Sequence, residues 1–288
     1  MSESRRVFRA DDPETILYNM DVVRATEREF PLGEAAIVFA DPPFNQGEDY
    51  SEWNDAISRP KYYEFTQRWI LQARRMMASH GTLWINVPDW IAGRIQVWCE
   101  DMANLTLANW CVWHFRFGQN QRSKFTVSKT HLLRFVLSKK HAKFRAERVL
   151  EPSDRSRFYA DSRTEATANP GLRTPLDVWY GPGFSRVSGT NVERRTGHAN
   201  QLPEAYLHRV ISVSSDPGDL VVDLFAGSGT TQTVARAMGR RSIGFEIGSK
   251  EAASAWSRIE SGCVRDFSKA GGGIAPLKHD AFATQEEG

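Results

Sequence analysis

Apolar positions in this chain fall into short unbroken runs separated by stretches with helical spacing, and that alternation predicts the architecture. Residues 35–40, AAIVFA, carry no polar side chain, which is the composition of a strand covered on both faces of a sheet. The run stops at Asp41-Pro42-Pro43-Phe44. Two prolines there remove backbone donors and fix φ, so the side chains after the strand stand on a stiff turn. Residues 62–77 (YYEFTQRWILQARRMM) have helical spacing, with Phe65, Trp69, Leu71 and Met76 available for a core face. Gly81 ends that stretch, and TLWINV at 82–87 reads as the next strand. Strand, helix, strand is the order of a parallel α/β sheet. Upstream, 16–21 is a shorter strand-like run, and the polar residues 1–13 read as a loose arm.

The same grammar returns after Pro203. A helix is predicted over 204–213, a turn at Asp216-Pro217-Gly218-Asp219 and a strand over 220–224 (LVVDL). Gly227-Ser228-Gly229 is a tight turn into a helix over 230–238, followed by a strand at 242–246 (SIGFE) and a helix at 249–259. Beyond Gly262, the glycine run Gly271-Gly272-Gly273 and the closing acids predict a disordered tail. Between the two halves, LLRFVL at 132–137 looks like a strand, and 151–198 is rich in Gly, Pro, Ser, Thr and Arg with little periodicity. The expected organisation is an arm (1–14), a first half of an α/β domain (15–116), an inserted lobe (117–197), a second half (198–262) and a flexible tail (263–288). The expected fold class is α/β, with a doubly wound, mostly parallel sheet.

With 288 residues the chain buries one substantial core and has room for a small lobe. The formal net charge of +2 says little about partners, but its distribution says more. Arg116, Arg122, Lys124, Lys129, Arg134, Lys139, Lys140, Lys143, Arg145 and Arg148 are opposed between 114 and 148 by Glu147 alone, and Phe115, Phe117, Phe125, Phe135 and Phe144 are interleaved with them. Phe135 reads as core, inside its strand. Arg122, Lys124 and Lys129, in a glycine- and glutamine-flanked loop, are candidate phosphate contacts, as are Arg194 and Arg195. Cys99, Cys111 and Cys263 lie far apart with no CxxC spacing, which argues against a disulfide framework or a thiolate zinc site and suits a reducing cytoplasm. His131 and His198 read as structural or hydrogen-bonded, and no metal is expected. No apolar stretch has the length of a membrane helix and the N-terminus lacks a signal-like apolar region, so the expectation is a cytoplasmic protein without membrane contact.

Two motifs carry chemistry. In Asp223-Leu-Phe225-Ala-Gly227-Ser-Gly229-Thr230 a strand turns into a helix on small residues, so a ligand can press against backbone at a helix N-terminus. Glu246 ends the next strand, where a carboxylate accepts hydrogen bonds from ribose hydroxyls. The plainer alternative is a glycine-tightened turn with a surface glutamate. A dinucleotide site is disfavoured, because Gln232 replaces the third glycine of GxGxxG. In Asp-Pro-Pro-Phe, Asp41 and the Pro42 carbonyl would accept the hydrogens of an exocyclic base amine, localising its lone pair for attack on a methylsulfonium. Pro43 stiffens the turn, and Phe44 would stack on a base extruded from the duplex. The alternative is a capping aspartate and a core phenylalanine.

Together these motifs resemble the β-group S-adenosylmethionine-dependent DNA amino-methyltransferases. In that family a (D/N/S)PP(Y/F) motif precedes the target-recognition segment and FxGxG follows it. The resemblance spans about 15–260 and includes NMDVV around Asp21, HANQLPEAYLHRVISVSSDPGDLVVDLFAGSGTT and GRRSIGFEI. It implies a Rossmann-like methyltransferase fold whose inserted lobe recognises the target. Asp41, Pro42, Pro43 and Phe44 would form the catalytic pocket. Asp21, Asn200, Gln201, Pro203, Asp223, Phe225, Gly227, Gly229, Thr230 and Glu246 would hold the cofactor. The substrate implied is double-stranded DNA, with adenine N6 favoured over cytosine N4 because the cytosine enzymes mostly begin the motif with serine. An RNA substrate and an inactive DNA-binding relative are the further alternatives. A cognate restriction endonuclease is a possible partner, and the chain is expected to act as a monomer or homodimer. Leu202 stands where the family usually has lysine, Leu224 where proline is common, and Phe44 where tyrosine is commoner.

Overall fold

In the computed structural model, which describes residues 6–25, 31–115, 118, 121–195, 198 and 200–267, the sheet starts with an antiparallel hairpin of β1 (Val7–Asp11) and β2 (Glu14–Asn19). There follow β3 (Ala35–Ala40), α1 (Arg59–Met76), β4 (Met77–Val87), α2 (Asp89–Asp101), β5 (Thr106–His114) and β6 (Lys129–Val136). A loop-rich region holds β7 (Glu151–Pro152), α3 (Asp154–Tyr159), β8 (Leu172–Arg173) and β9 (Val178–Trp179). The last elements are α4 (Glu204–Ser214), β10 (Leu220–Asp223), α5 (Thr230–Ala237), β11 (Arg241–Glu246) and α6 (Ser249–Ser261).

Nine strands form one sheet in the order β1-β2-β11-β10-β3-β4-β6-β5-β9. Strands β2, β11, β10, β3 and β4 are mutually parallel, and β6 runs antiparallel to both β4 and β5. β3 lies near the middle and is buried at every position, as its unbroken apolar run predicts. Its side chains alternate between two cores. Val38 and Ala40 join the core of Trp69 and Ile70 from α1 and Ile91 and Ile95 from α2. Ile37 and Phe39 join Tyr206, Leu207 and Val210 of α4 on the other face. The expected doubly wound sheet is therefore observed. From β10 the chain winds to β11 on one side, and from β3 it winds to β4 on the other. The crevice between β10 and β3, at their carboxyl ends, is where such sheets bind ligands.

Several expectations need correction. The predicted arm contains β1, whose residues alternate between exposed and half-buried and so give no apolar signal. Helix α2 and strand β5 were not predicted. The lobe boundary expected at 117 divides a hairpin, because β6 belongs to the central sheet between β4 and β5. The part outside the sheet begins after Val136 and returns β9 to the edge beside β5. The tail expected from 263 is anchored at its start: the Val264 and Arg265 amides donate to Glu204, and Phe267 stacks on His208 at 4.6 Å. Arg116, Phe117, Gly197 and the glycine run 271–273 lie outside the described residues. Cys99, Cys111 and Cys263 are all buried. No described helix is long and apolar enough to cross a membrane.

Candidate active site

Each of the five parallel strands delivers polar groups at its carboxyl end. Glu246 of β11 pairs in register with Asn19 of β2, whose amide donates to the Glu246 and Ile247 carbonyls at 2.9 Å. Asp21 follows two residues later and accepts the Val23 amide at 2.9 Å. Asp223 ends β10 opposite Phe39 of β3, and the Leu224 amide donates to the Phe39 carbonyl at 3.0 Å. Asp41 follows β3, and Asn86 lies one residue before the end of β4. Strand pairing thus gathers groups more than two hundred residues apart around one cleft of about 750 Å³.

The Asp-Pro-Pro-Phe turn is held from behind. The Tyr62 hydroxyl donates to the Pro43 carbonyl at 2.5 Å, and the Trp90 indole donates to the Phe44 carbonyl at 3.3 Å. Among the described residues no hydrogen bond reaches the Pro42 carbonyl, which leaves it available to a ligand. The Asn86 amide donates to Asp41 Oδ1 at 2.9 Å, while its own oxygen accepts from the Thr130 hydroxyl at 2.8 Å and the Tyr206 hydroxyl at 3.4 Å. Burial raises the Asp41 carboxyl to about 7, with the Asn86 hydrogen bond opposing and Asp223 adding repulsion. Downstream, Asp55 fastens the loop by accepting the amides of Asn45, Gln46 and Glu48 at 2.7, 2.9 and 3.1 Å.

Across the crevice, Glu246 is fixed by the amides of Gly227 at 2.8 Å and Gly248 at 2.9 Å. Each carboxylate oxygen takes one of these bonds, so each retains a lone pair for a ligand hydroxyl. Burial raises this carboxyl to about 7 and that of Asp223 to about 6. Phe225 lines the cleft with its ring edge-on to Trp69 and Phe65.

The cleft brings together most of the residues singled out from sequence. Asp41 to Phe44, Asp21, Asn200, Gln201, Asp223, Phe225, Gly227, Thr230 and Glu246 all line it, with Lys124 and Lys129 at its wall. Pro203 and Gly229 do not. Pro203 is a buried N-cap of α4. Gly229, at φ +72°, abuts α6, where a Cβ would lie 3.0 Å from the Ala255 carbonyl. The side chains of Gln201 and Thr230 are engaged by protein. Gln201 bonds the backbone of Glu193 and Arg195, and Thr230 accepts from Arg258.

The basic stretch separates into two kinds of residue. Lys143, Arg145 and Arg148 are struts that pair with Asp216, and Lys143 also with Asp219, in the turn before β10. Arg134 is buried between the rings of Trp84 and Phe144. Arg122 and Lys124 stand exposed in the β5–β6 loop. Lys129 pairs with Asp89, which also meets His131. Arg194 is exposed, whereas Arg195 is half-buried, away from the cleft lining. Among the described residues no cluster fit for a metal occurs. Sequence reasoning missed Asn86, Thr130, Tyr206, Tyr62 and Trp90. The legible signal was Asn86, a polar residue within the buried apolar run 83–87 (LWINV) that ends β4.

Residues 35–256 match a family profile described as DNA methylase. The chain is 29% identical over 225 residues to the type II methyltransferase M.HpaI of Haemophilus parainfluenzae, covering 78% of this chain and 68% of that protein. It is 29% identical over 231 residues to the DNA adenine methyltransferase YhdJ of Escherichia coli (strain K12), covering 77% of this chain and 75% of that one. Its fold is similar to that of the PvuII DNA methyltransferase (cytosine-N4-specific), with a TM-score of 0.65, 16% identity, and 84% and 85% of the two chains covered.

Proposed function

The chain belongs to the DNA methylase family, and from that premise we propose that it transfers a methyl group from S-adenosylmethionine to adenine N6 of a base flipped out of double-stranded DNA. One observation carries the reading: the Asp41 turn and the Gly227–Glu246 pair face a single crevice across the sheet's switch point.

The residues present fit the methyl donor. A volume of about 750 Å³ is in the usual range for small-molecule clefts. Glu246 offers two prepositioned acceptors for ribose hydroxyls, Phe225 offers an aromatic wall, and the Asp41, Asp223 and Glu246 carboxyls that line the cleft suit a cationic ligand. When bound, S-adenosylmethionine supplies an electrophilic methyl group on a positively charged sulfur.

The chain's own work is at the acceptor amine. That nitrogen is a weak nucleophile because its lone pair is spread into the ring. Asp41 Oδ and the Pro42 carbonyl accept its two hydrogens and turn the lone pair toward the donor, which is catalysis by position and fixed acceptors. Asn86 keeps the Asp41 carboxylate aimed, and Phe44 faces the extruded base. Asp41 acts as an acceptor in its ionised form, so transfer rises with pH through its titration near 7.

Adenine is favoured by the aspartate that opens the motif, in keeping with the adenine relative. Cytosine N4 is the second reading, because the solved neighbour is titled as cytosine-N4-specific. Incubating unmethylated duplex DNA with tritiated cofactor and identifying the labelled nucleoside separates the two. Asp41→Ala is expected to lower the transfer rate by about 10²–10³-fold or more, the scale of a lost transition-state hydrogen-bond partner, with cofactor binding retained. An alanine protein as fast as wild type removes Asp41 from the chemistry.

A further inference from the structure

The loop between β5 and β6 is pinched at its base. The Phe115 amide donates to the Ser128 carbonyl at 2.8 Å, and a methyl group at Gly118 would collide with Thr126 and the Val127 carbonyl. Beyond the pinch, residues 121–125 stand in solvent, and Phe125 is 99% exposed, ahead of Tyr159 at 78% among the exposed large apolar side chains. A single exposed apolar residue needs no explanation in general. Position makes this one different. Lys124 and Val127, on either side of it in sequence, line the active-site cleft, and Lys129 lines it at the start of β6. The ring therefore stands on the rim with Arg122 and Lys124 as exposed cations beside it. A duplex lying across that rim would bring a base extruded from it toward Asp41 in the same cleft.

Resting on the methyl-transfer reading above, we propose that Phe125 is a positioning residue: a wedge that enters the duplex and fills the space left by the flipped base. Taking a base out of the stack costs pairing and stacking on both neighbours. An inserted apolar ring restores contact with those neighbours and leaves its aqueous surroundings as it does so, as apolar wedges do in DNA-kinking proteins. Arg122 and Lys124 would hold the adjoining phosphates and set the depth of insertion.

The test uses full-length protein and two duplexes carrying the methylated site, first located by modified-base sequencing. In one duplex the target base is paired. In the other it faces an abasic site, so that extrusion breaks no pair. Phe125→Ala is expected to lose about tenfold or more in kcat/KM on the paired duplex and to recover to within about threefold of wild type on the unpaired one. Phe125→Trp should stay near wild type on both, and cofactor affinity by calorimetry should be unchanged. Equal rates for Phe125→Ala and wild type on the paired duplex overturn the wedge, as does a deficit of equal size on both duplexes. Wild-type protein that labels neither duplex instead refutes the methyl-transfer reading, and the wedge falls with it.

Discussion

Asn86 does three jobs with one amide group. Its N–H donates to Asp41, and its oxygen accepts from Thr130 and Tyr206, so the group is locked by strands and helices on both sides. The donated hydrogen bond favours the ionised carboxylate, against the larger effect of burial. Asn86→Leu is therefore expected to raise the Asp41 titration further and to move the acid limb of the kcat/KM profile to higher pH. It also leaves two hydroxyls unpaired, at a cost of about 1–3 kcal/mol each if they stay dry. A pH profile whose acid limb stays where wild type has it would show that Asn86 does not tune Asp41. Such a result would reduce the residue to a packing role.

Among elements, the α5–α6 contact leaves little slack. Gly229 caps α5 at φ +72° and leaves no room beneath it, since an added Cβ would meet the Ala255 carbonyl at 3.0 Å and its side chain at 3.2 Å. Gly229→Ala combines backbone strain with a steric push, together about 1–3 kcal/mol, and should lower the melting temperature. Adding Ala255→Gly should restore part of the loss in a double-mutant cycle. If the two losses simply add, the helices are not in the contact described. Gln232, one turn into α5, stands where a third glycine was missing from the sequence pattern. The fold accommodates it from the other side, because a Cβ at Gly244 of β11 would meet the Gln232 amide at 2.5 Å. That exchange shows what the sequence concealed. Strand β3 was legible to the residue because every position is apolar, Asp41 because it follows that run, and Glu246 because it ends the short strand after the glycine turn. β1 was not, because its residues are exposed or half-buried and give no apolar run, although Phe8 stacks on Trp256 of α6. Helix α2 does carry a periodic apolar face in Ile91, Ala92, Ile95 and Cys99, but it follows β4 so closely that strand and helix patterns merge. The Asn86–Thr130–Tyr206 set is a product of β4 meeting β6 and α4, and local pattern announces only its asparagine.

At the scale of the whole molecule, the cleft is an electrostatic liability that its ligand relieves. Asp41, Asp223 and Glu246 titrate near 7, 6 and 7 in the fold, above ordinary carboxyls. Between the unfolded and folded values the native state holds protons that the unfolded chain has released, so these groups lower stability as pH rises through that window. His208, lowered to about 4 by burial, works in the opposite sense up to its unfolded value. A variant isolates the carboxyl effect. The urea stability of Asp41→Asn relative to wild type should grow from about pH 4 to about pH 7 and then level off. A constant difference would mean that Asp41 is not desolvated. A cationic ligand favours the ionised forms, so cofactor binding near pH 6.5 should expel protons, read as a buffer-dependent enthalpy in calorimetry.

Strand β11 lies between β2 and β10, so a segment at 241–246 is the keystone between one at 14–19 and one at 220–223. Strand β2 therefore lacks its parallel neighbour until β11, more than two hundred residues further along the chain, has been made. Until then, the glutamate that would grip the ribose and the glycine bend it braces cannot face the aspartate turn. The two halves of the cleft thus meet in one late step of assembly rather than accumulating as the chain lengthens.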